Sequence, residues 1–124
     1  MLLLFGGCPV FHRWSPVFVA LQELTILLTE AAYAQELEAR KNAQELLWYA
    51  FEGVTLKLAD GCRYTPDFAV LMADGTIEMH EVKGYWTDDA RAKIKVAADK
   101  FPFRFIAVYK QAKKDGGGWK VEEF

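Results

Sequence analysis

Hydrophobic positions recur along the chain first at helical and then at strand spacing. After Ser15-Pro16, a capping hydroxyl followed by proline, Val17, Leu21, Leu24 and Leu28 fall on one stripe, which predicts a helix. A second helical stretch, or its continuation, runs from about Thr29 to Asn42 with Tyr33, Ala34 and Leu37 on one face and Glu30 at its head. Aromatic and β-branched residues then become frequent, and residues 54–58 read as a strand before the turn at Asp60-Gly61. Residues 64–72 and 76–83 read as two strands joined by a turn containing Asp74-Gly75.

Thr87 caps the next helix, with Asp88 and Asp89 at its positive end and Ala90, Ile94, Ala97 and Phe101 as its buried stripe. Phe101-Pro102 stops it. Residues 103–109 are nearly all apolar, as a strand buried on both faces should be, and the strand-helix-strand order calls for a right-handed parallel crossover. Residues 113–118 form a flexible basic loop, and residues 119–124 add an edge strand. The order is α-β-β-β-α-β, an α/β domain with a mixed central sheet flanked by helices.

A chain of 124 residues, 52% apolar, fits one compact domain with one core, so a single site is expected. The net charge of -2 excludes a protein that coats nucleic acid by bulk electrostatics. That average hides a division, because residues 1–82 are net -6 while residues 83–120 are net +6. Cys8 and Cys62 lie far apart, with neither zinc spacing nor a disulfide framework, which suits a reducing cytoplasm. Residues 1–5 are apolar and Ala32-Tyr33-Ala34 resembles a cleavage site, yet no basic residue precedes the first apolar run. His12, Arg13, Gln22, Glu23 and Glu30 interrupt any continuous signal or membrane segment, so no membrane partner is expected.

The chemistry concentrates in Pro66-Asp67 and Glu81-Val82-Lys83. Phosphodiester hydrolysis needs a cation against the charge developing on phosphoryl oxygens, an activated water and a fixed donor. Magnesium or manganese would find two carboxylates in Asp67 and Glu81 and a third oxygen in the Val82 backbone carbonyl, with Lys83 as the donor. Strand geometry sends Glu81 and Lys83 to one face and Val82 to the other. Register then decides whether Asp67 joins them. A two-residue turn at Asp74-Gly75 would pair Asp67 with Val82 and put the carboxylates on opposite faces. A three-residue loop, Ala73-Asp74-Gly75 with Gly75 left-handed in a bulge, pairs Met72 with Thr76 and sets Asp67 opposite Glu81, and this is the expected register.

Thr29-Glu30-Ala31-Ala32-Tyr33-Ala34, Arg63-Tyr64-Thr65-Pro66-Asp67-Phe68 and His80-Glu81-Val82-Lys83-Gly84, followed by a helix with Lys93-Ile94-Lys95, resemble small phage and prophage endonucleases of the PD-(D/E)xK superfamily. The resemblance covers roughly residues 29–124 and leaves residues 1–28 as an N-terminal extension. It implies a restriction-endonuclease-like fold, metal binding by Asp67 and Glu81, catalysis assisted by Lys83, and a further acid that falls on Glu30. Members act on branched, nicked or recombining DNA or as restriction-type enzymes, so the resemblance implies a DNA partner and no small-molecule substrate, while the particular substrate does not transfer. Whether two copies act as a homodimer is left open.

Each residue also has a plainer reading. Proline-aspartate is ordinary turn chemistry, and Glu81 with Lys83 can be a solvated strand face. Glu36 and Glu38 share the helix of Glu30, where dipole chemistry alone favours an acid near the start. Arg91, Lys93 and Lys95 can be the wet face of the second helix or a row of phosphate contacts. Tyr85 and Trp86 can stack on bases or pack at a strand end, and His80 points away from Glu81. The rival functions are a nucleic-acid-binding subunit of a recombination or packaging assembly that has lost turnover, and a small exported or membrane-associated protein, which rests only on residues 1–34.

Overall fold

The computed structural model describes residues 16–124. A single helix, α1 (Pro16–Asn42), joins the two helical stretches of the sequence reading, and the division at residues 28 and 29 falls inside it. It ends in a Schellman arrangement without glycine. Gln44 takes a left-handed conformation (φ 65°), while Gln44 N–H donates to Lys41 O and Glu45 N–H to Arg40 O. The expected cap at Ser15 lies outside the described residues.

Strands β1 (Leu46–Phe51), β4 (Phe68–Met72), β5 (Ile77–Val82), β6 (Arg104–Lys110) and β7 (Trp119–Glu123) form one sheet in the order β1-β4-β5-β6-β7. β5 and β6 run parallel and the remaining neighbours antiparallel, so the sheet is mixed. Strands β2 (Leu56–Ala59) and β3 (Cys62–Tyr64) form a separate hairpin. Helix α2 (Asp88–Lys100) connects β5 to β6, and Thr87 Oγ1 accepts from Ala90 N–H as expected of its cap. The protein is thus a mixed α/β domain.

Two parts of the expected element order are corrected. β1 was not foreseen as a separate strand, because Leu46-Leu47-Trp48-Tyr49-Ala50-Phe51 has no polar alternation and its end is made by Glu52 in a left-handed conformation (φ 48°). The chain turns there so tightly that a Cβ on Gly53 would lie 2.7 Å from Ala50 Cβ, a space glycine alone leaves clear. The expected strand 64–72 is broken at Thr65-Pro66, where proline supplies no N–H to a ladder. Tyr64 therefore pairs with β2, while Phe68 pairs with β1 and β5. Residues 113–118 also contain order not foreseen, a 3-10 turn at Lys113–Asp115 followed by three glycines of positive φ.

Two cores lie on opposite faces of the sheet. Tyr33 and Leu37 of α1 pack against Phe68, Val70, Val82 and Val108 on one side. On the other, Ile94 and Ala97 of α2 and Leu56, Leu58 and Tyr64 of the hairpin cover Ala69, Met79 and Phe105. The stripe Val17, Leu21, Leu24 and Leu28 lies on the helix as expected and is exposed. At 1.5 Å per residue α1 spans about 40 Å, roughly twice a six-residue strand, so its first half outruns the sheet.

Candidate active site

The β4–β5 hairpin brings the two motifs together. Met72 N–H donates to Thr76 O (2.8 Å), Gly75 N–H donates to Met72 O (3.0 Å), and Gly75 adopts φ 90°. This is the three-residue bulged loop expected from the sequence, and Phe68 pairs with His80 and Leu71 with Ile77. Continuing that register by one residue sets Asp67 opposite Glu81. The join is sealed by Val82 N–H donating to Asp67 Oδ2 at 2.8 Å.

Glu30 reaches the same place from α1, where it shares a buried face with Tyr33 and Leu37. Glu30, Asp67 and Glu81 are 5%, 3% and 4% exposed, and their carboxyls influence one another electrostatically. Glu81 is held from two sides. Tyr64 Oη–H donates to its Oε2 at 2.7 Å, and Lys83 Nζ lies 3.1 Å from its Oε1. Lys83 in turn rests 5.1 Å from the Trp86 ring. Tyr64 was not singled out from the sequence, because no spacing rule links the short β2–β3 hairpin to β5.

The electrostatics of the cluster are unfavourable as it stands. Burial, and then the charge of Glu81, push the Asp67 carboxyl up to about 8, with Glu30 adding to the rise. Burial likewise raises Glu30. Glu30 Oε2 is buried without a hydrogen-bond partner, the sole such side-chain atom found among the described residues. Tyr64, buried against Glu81, is raised well above the usual phenol range by desolvation first and the carboxylate second, and so stays a donor.

A cleft of about 450 Å³ opens onto these carboxyls. Its walls come from α1 (Leu21, Gln22, Thr25, Ile26) and from Gly84 and Tyr85 beyond β5. The Val82 side chain packs in the α1-side core while the residue borders the cleft, which leaves its backbone facing the carboxyls. Leu21, Gln22, Thr25 and Ile26, which lie in the segment assigned from the sequence to an extension, thus line the cleft.

The three basic residues expected to contact phosphates do not form one row. Arg91 is clamped by Glu122 (Nη2–Oε2 2.6 Å, Nη1–Oε1 3.2 Å) and lies over the rings of Trp86 and Phe124. Lys93 is only 6% exposed and donates to Arg63 O at 3.2 Å. Lys95 faces solvent. The spacing 91-93-95 turns each residue by about 200° from the last on a helix, so the three cannot share one face.

A family described as "Protein of unknown function (DUF1064)" matches residues 28–116. The chain belongs to this family. The matched segment contains Glu30, Tyr64, Asp67, Glu81 and Lys83, hence every charged group of the cluster. No curated protein and no solved structure matches the chain significantly. Among the described residues, no group of three or more His, Cys, Asp or Glu side chains stands ready as a metal cage, and no helix is long and apolar enough to cross a membrane.

The residues nevertheless fit a hard divalent cation. The donors are all oxygen, one carboxylate oxygen is buried without a partner, and two carboxyls are pushed upward by desolvation and like charge. A cation entering between them would relieve all three conditions.

Proposed function

We propose that the protein is a divalent-metal-dependent endodeoxyribonuclease of PD-(D/E)xK type with a restriction-endonuclease-like core, acting in the cytoplasm. The observation that carries this reading is the buried carboxyl cluster of Glu30, Asp67 and Glu81, with its unpartnered oxygen, set beside Lys83 at the end of two paired strands. A structural salt-bridge network would satisfy its own acids, and this one does not.

Asp67 and Glu81 would hold magnesium or manganese, with Glu30 and the Val82 carbonyl as further oxygens. The cation would offset charge on the phosphoryl oxygens and supply an acidified water. Lys83, anchored by Glu81 Oε1 and steadied over Trp86, places a fixed donor at the mouth of the cluster, where a phosphodiester oxygen would gain charge as the bond breaks. Tyr64 fixes the other Glu81 oxygen and so the direction of the carboxylate. Val82 N–H does the same for Asp67. Because the chain provides these groups already in place, little reorganisation is needed when substrate arrives.

The test is incubation of the protein with linear, nicked and four-way-branched DNA in magnesium or manganese, beside Lys83→Ala. Loss of one preorganised donor should lower the cleavage rate by about a hundredfold or more, with the fold unchanged by circular dichroism. Equal cleavage by both proteins contradicts the reading.

A further inference from the structure

Beside the carboxyls the cleft changes character. The hydroxyls of Thr25 and Thr29 are turned back onto the carbonyls of Leu21 and Thr25, so the α1 wall presents mainly carbon. Opposite it, Tyr85 is 65% exposed, and Gln22 Nε2 reaches its hydroxyl at 3.4 Å. Between Tyr85 and Lys83 lies Gly84, where a Cβ would meet nothing within 4 Å, so the chain leaves the floor open. A volume of about 450 Å³ is typical of pockets that enclose a small organic group and does not admit the body of a duplex.

The surrounding charge points the same way. A duplex held by its phosphates needs a row of available cations. Of Lys83, Arg91, Lys93 and Lys95, Arg91 is committed to Glu122, Lys93 is buried against the Arg63 carbonyl and Lys83 is drawn to Glu81, so these four residues make no such row. An exposed aromatic ring facing a carbon wall supplies instead the sequence-independent stacking by which single strands are held.

We infer that the cleft receives an unpaired base of a DNA strand, stacked on Tyr85, while the neighbouring phosphodiester lies at Glu30, Asp67 and Glu81. The substrate class is therefore single-stranded or flapped DNA rather than continuous duplex. This rests on the nuclease reading for the placement of the phosphodiester. Binding should owe more to stacking than to counterion release, giving a shallow salt dependence of about 0.7 in log K per log salt for each phosphate neutralised on a single strand.

The full-length Lys83→Ala protein, in magnesium, is titrated with three DNAs carrying a fluorescent purine that aromatic stacking quenches: a single strand, a flap and a blunt duplex. The purine should be quenched in the first two and not in the third. Tyr85→Ala, added to the same protein, should weaken strand binding about tenfold and abolish quenching, while Tyr85→Phe keeps both. Since Tyr85 is exposed, neither change threatens folding. Equal affinity for the blunt duplex, an unchanged Tyr85→Ala protein, or equal binding of the free purine mononucleotide would each overturn the inference. Parallel cleavage assays with otherwise wild-type protein separate it from the reading it rests on. Cleavage of duplex and flap alike, insensitive to Tyr85→Ala, removes the base pocket and leaves the nuclease. Tyr85-dependent quenching without cleavage of any DNA removes the nuclease and leaves the pocket.

Discussion

β5 carries a buried polar cluster on each of its faces, and the two are built on opposite principles. On the α1 side, Tyr33 Oη lies 2.8 Å from His80 Nδ1, His80 Nε2 lies 2.9 Å from Glu78 Oε1, and Glu78 Oε2 accepts from Arg104 Nη1 at 2.7 Å. Arg104 also meets Glu123 at the surface. Every group in that chain has a partner. Burial lowers the His80 pKa and so favours the neutral ring, in which Nδ1 accepts from the Tyr33 hydroxyl while Nε2–H donates to Glu78. The bond from His80, aided by Arg104, holds Glu78 down at about 2. From the other face, Asp67 and Glu81 meet Glu30 of α1 and one lysine, and an oxygen is left over. The first cluster is complete without a ligand. The second gains most when something positive arrives.

Stability should separate the two clusters most strongly. His80→Ala opens a cavity and strands both Tyr33 and Glu78, which should cost about 3 kcal/mol or more by denaturant unfolding. Asp67→Asn in metal-free protein should cost nothing or stabilise, because it replaces a carboxyl whose ionisation the crowded site opposes while nearly keeping its shape. Equal losses would make both clusters structural.

A smaller difference should appear with pH. The folded Asp67 pKa lies above its unfolded value near 3.8, so its stabilising contribution is complete below about 4 and is lost as pH rises toward 8. The melting point of Asp67→Asn relative to wild type, both in EDTA, should therefore climb across that interval by several degrees, at about 4 °C per kcal/mol for a domain of this size. His80 has the opposite sign. Its depressed pKa adds stability that is present above about 6.5 and lost as pH falls through the folded value. His80→Gln should thus lose its disadvantage in acid. Parallel pH curves for each variant and wild type would remove the contrast.

The smallest expected effect belongs to Tyr64→Phe. It removes one donor from Glu81 and leaves the ring in place, so stability should fall by roughly 1–2 kcal/mol. Denaturant midpoints at fixed slope measure it.

Much of this contrast was legible in the sequence, for local reasons. Strand alternation separated Glu81 from His80, and the parity of the Asp74-Gly75 loop placed Asp67 opposite Glu81. The Tyr33–Leu37 stripe pointed Glu30 inward. What escaped depends on tertiary packing or on backbone that sequence does not advertise. Glu52 and Gln44 adopt left-handed conformations without being glycine, which hid the end of β1 and the form of the α1 cap. The partner of His80 Nδ1 comes from α1, that of Glu78 Oε2 from β6, and the hydroxyl that binds Glu81 from a hairpin that Pro66 detaches from the sheet. Lys93 looked solvated beside its charged neighbours, yet helical rotation turns it toward Arg63.

Calorimetric titration of manganese into wild type and Asp67→Asn, near pH 7 in buffers of different ionisation heat, tests the carboxyl cluster most directly. With Asp67 near 8, the wild-type site is largely protonated there, so a bound cation must displace that proton. The account predicts one site on wild type, with heat that varies with buffer as about one proton is released, and weak, buffer-independent binding to the variant. No binding to wild type, or identical binding to both proteins, would contradict a metal centre at Glu30, Asp67 and Glu81.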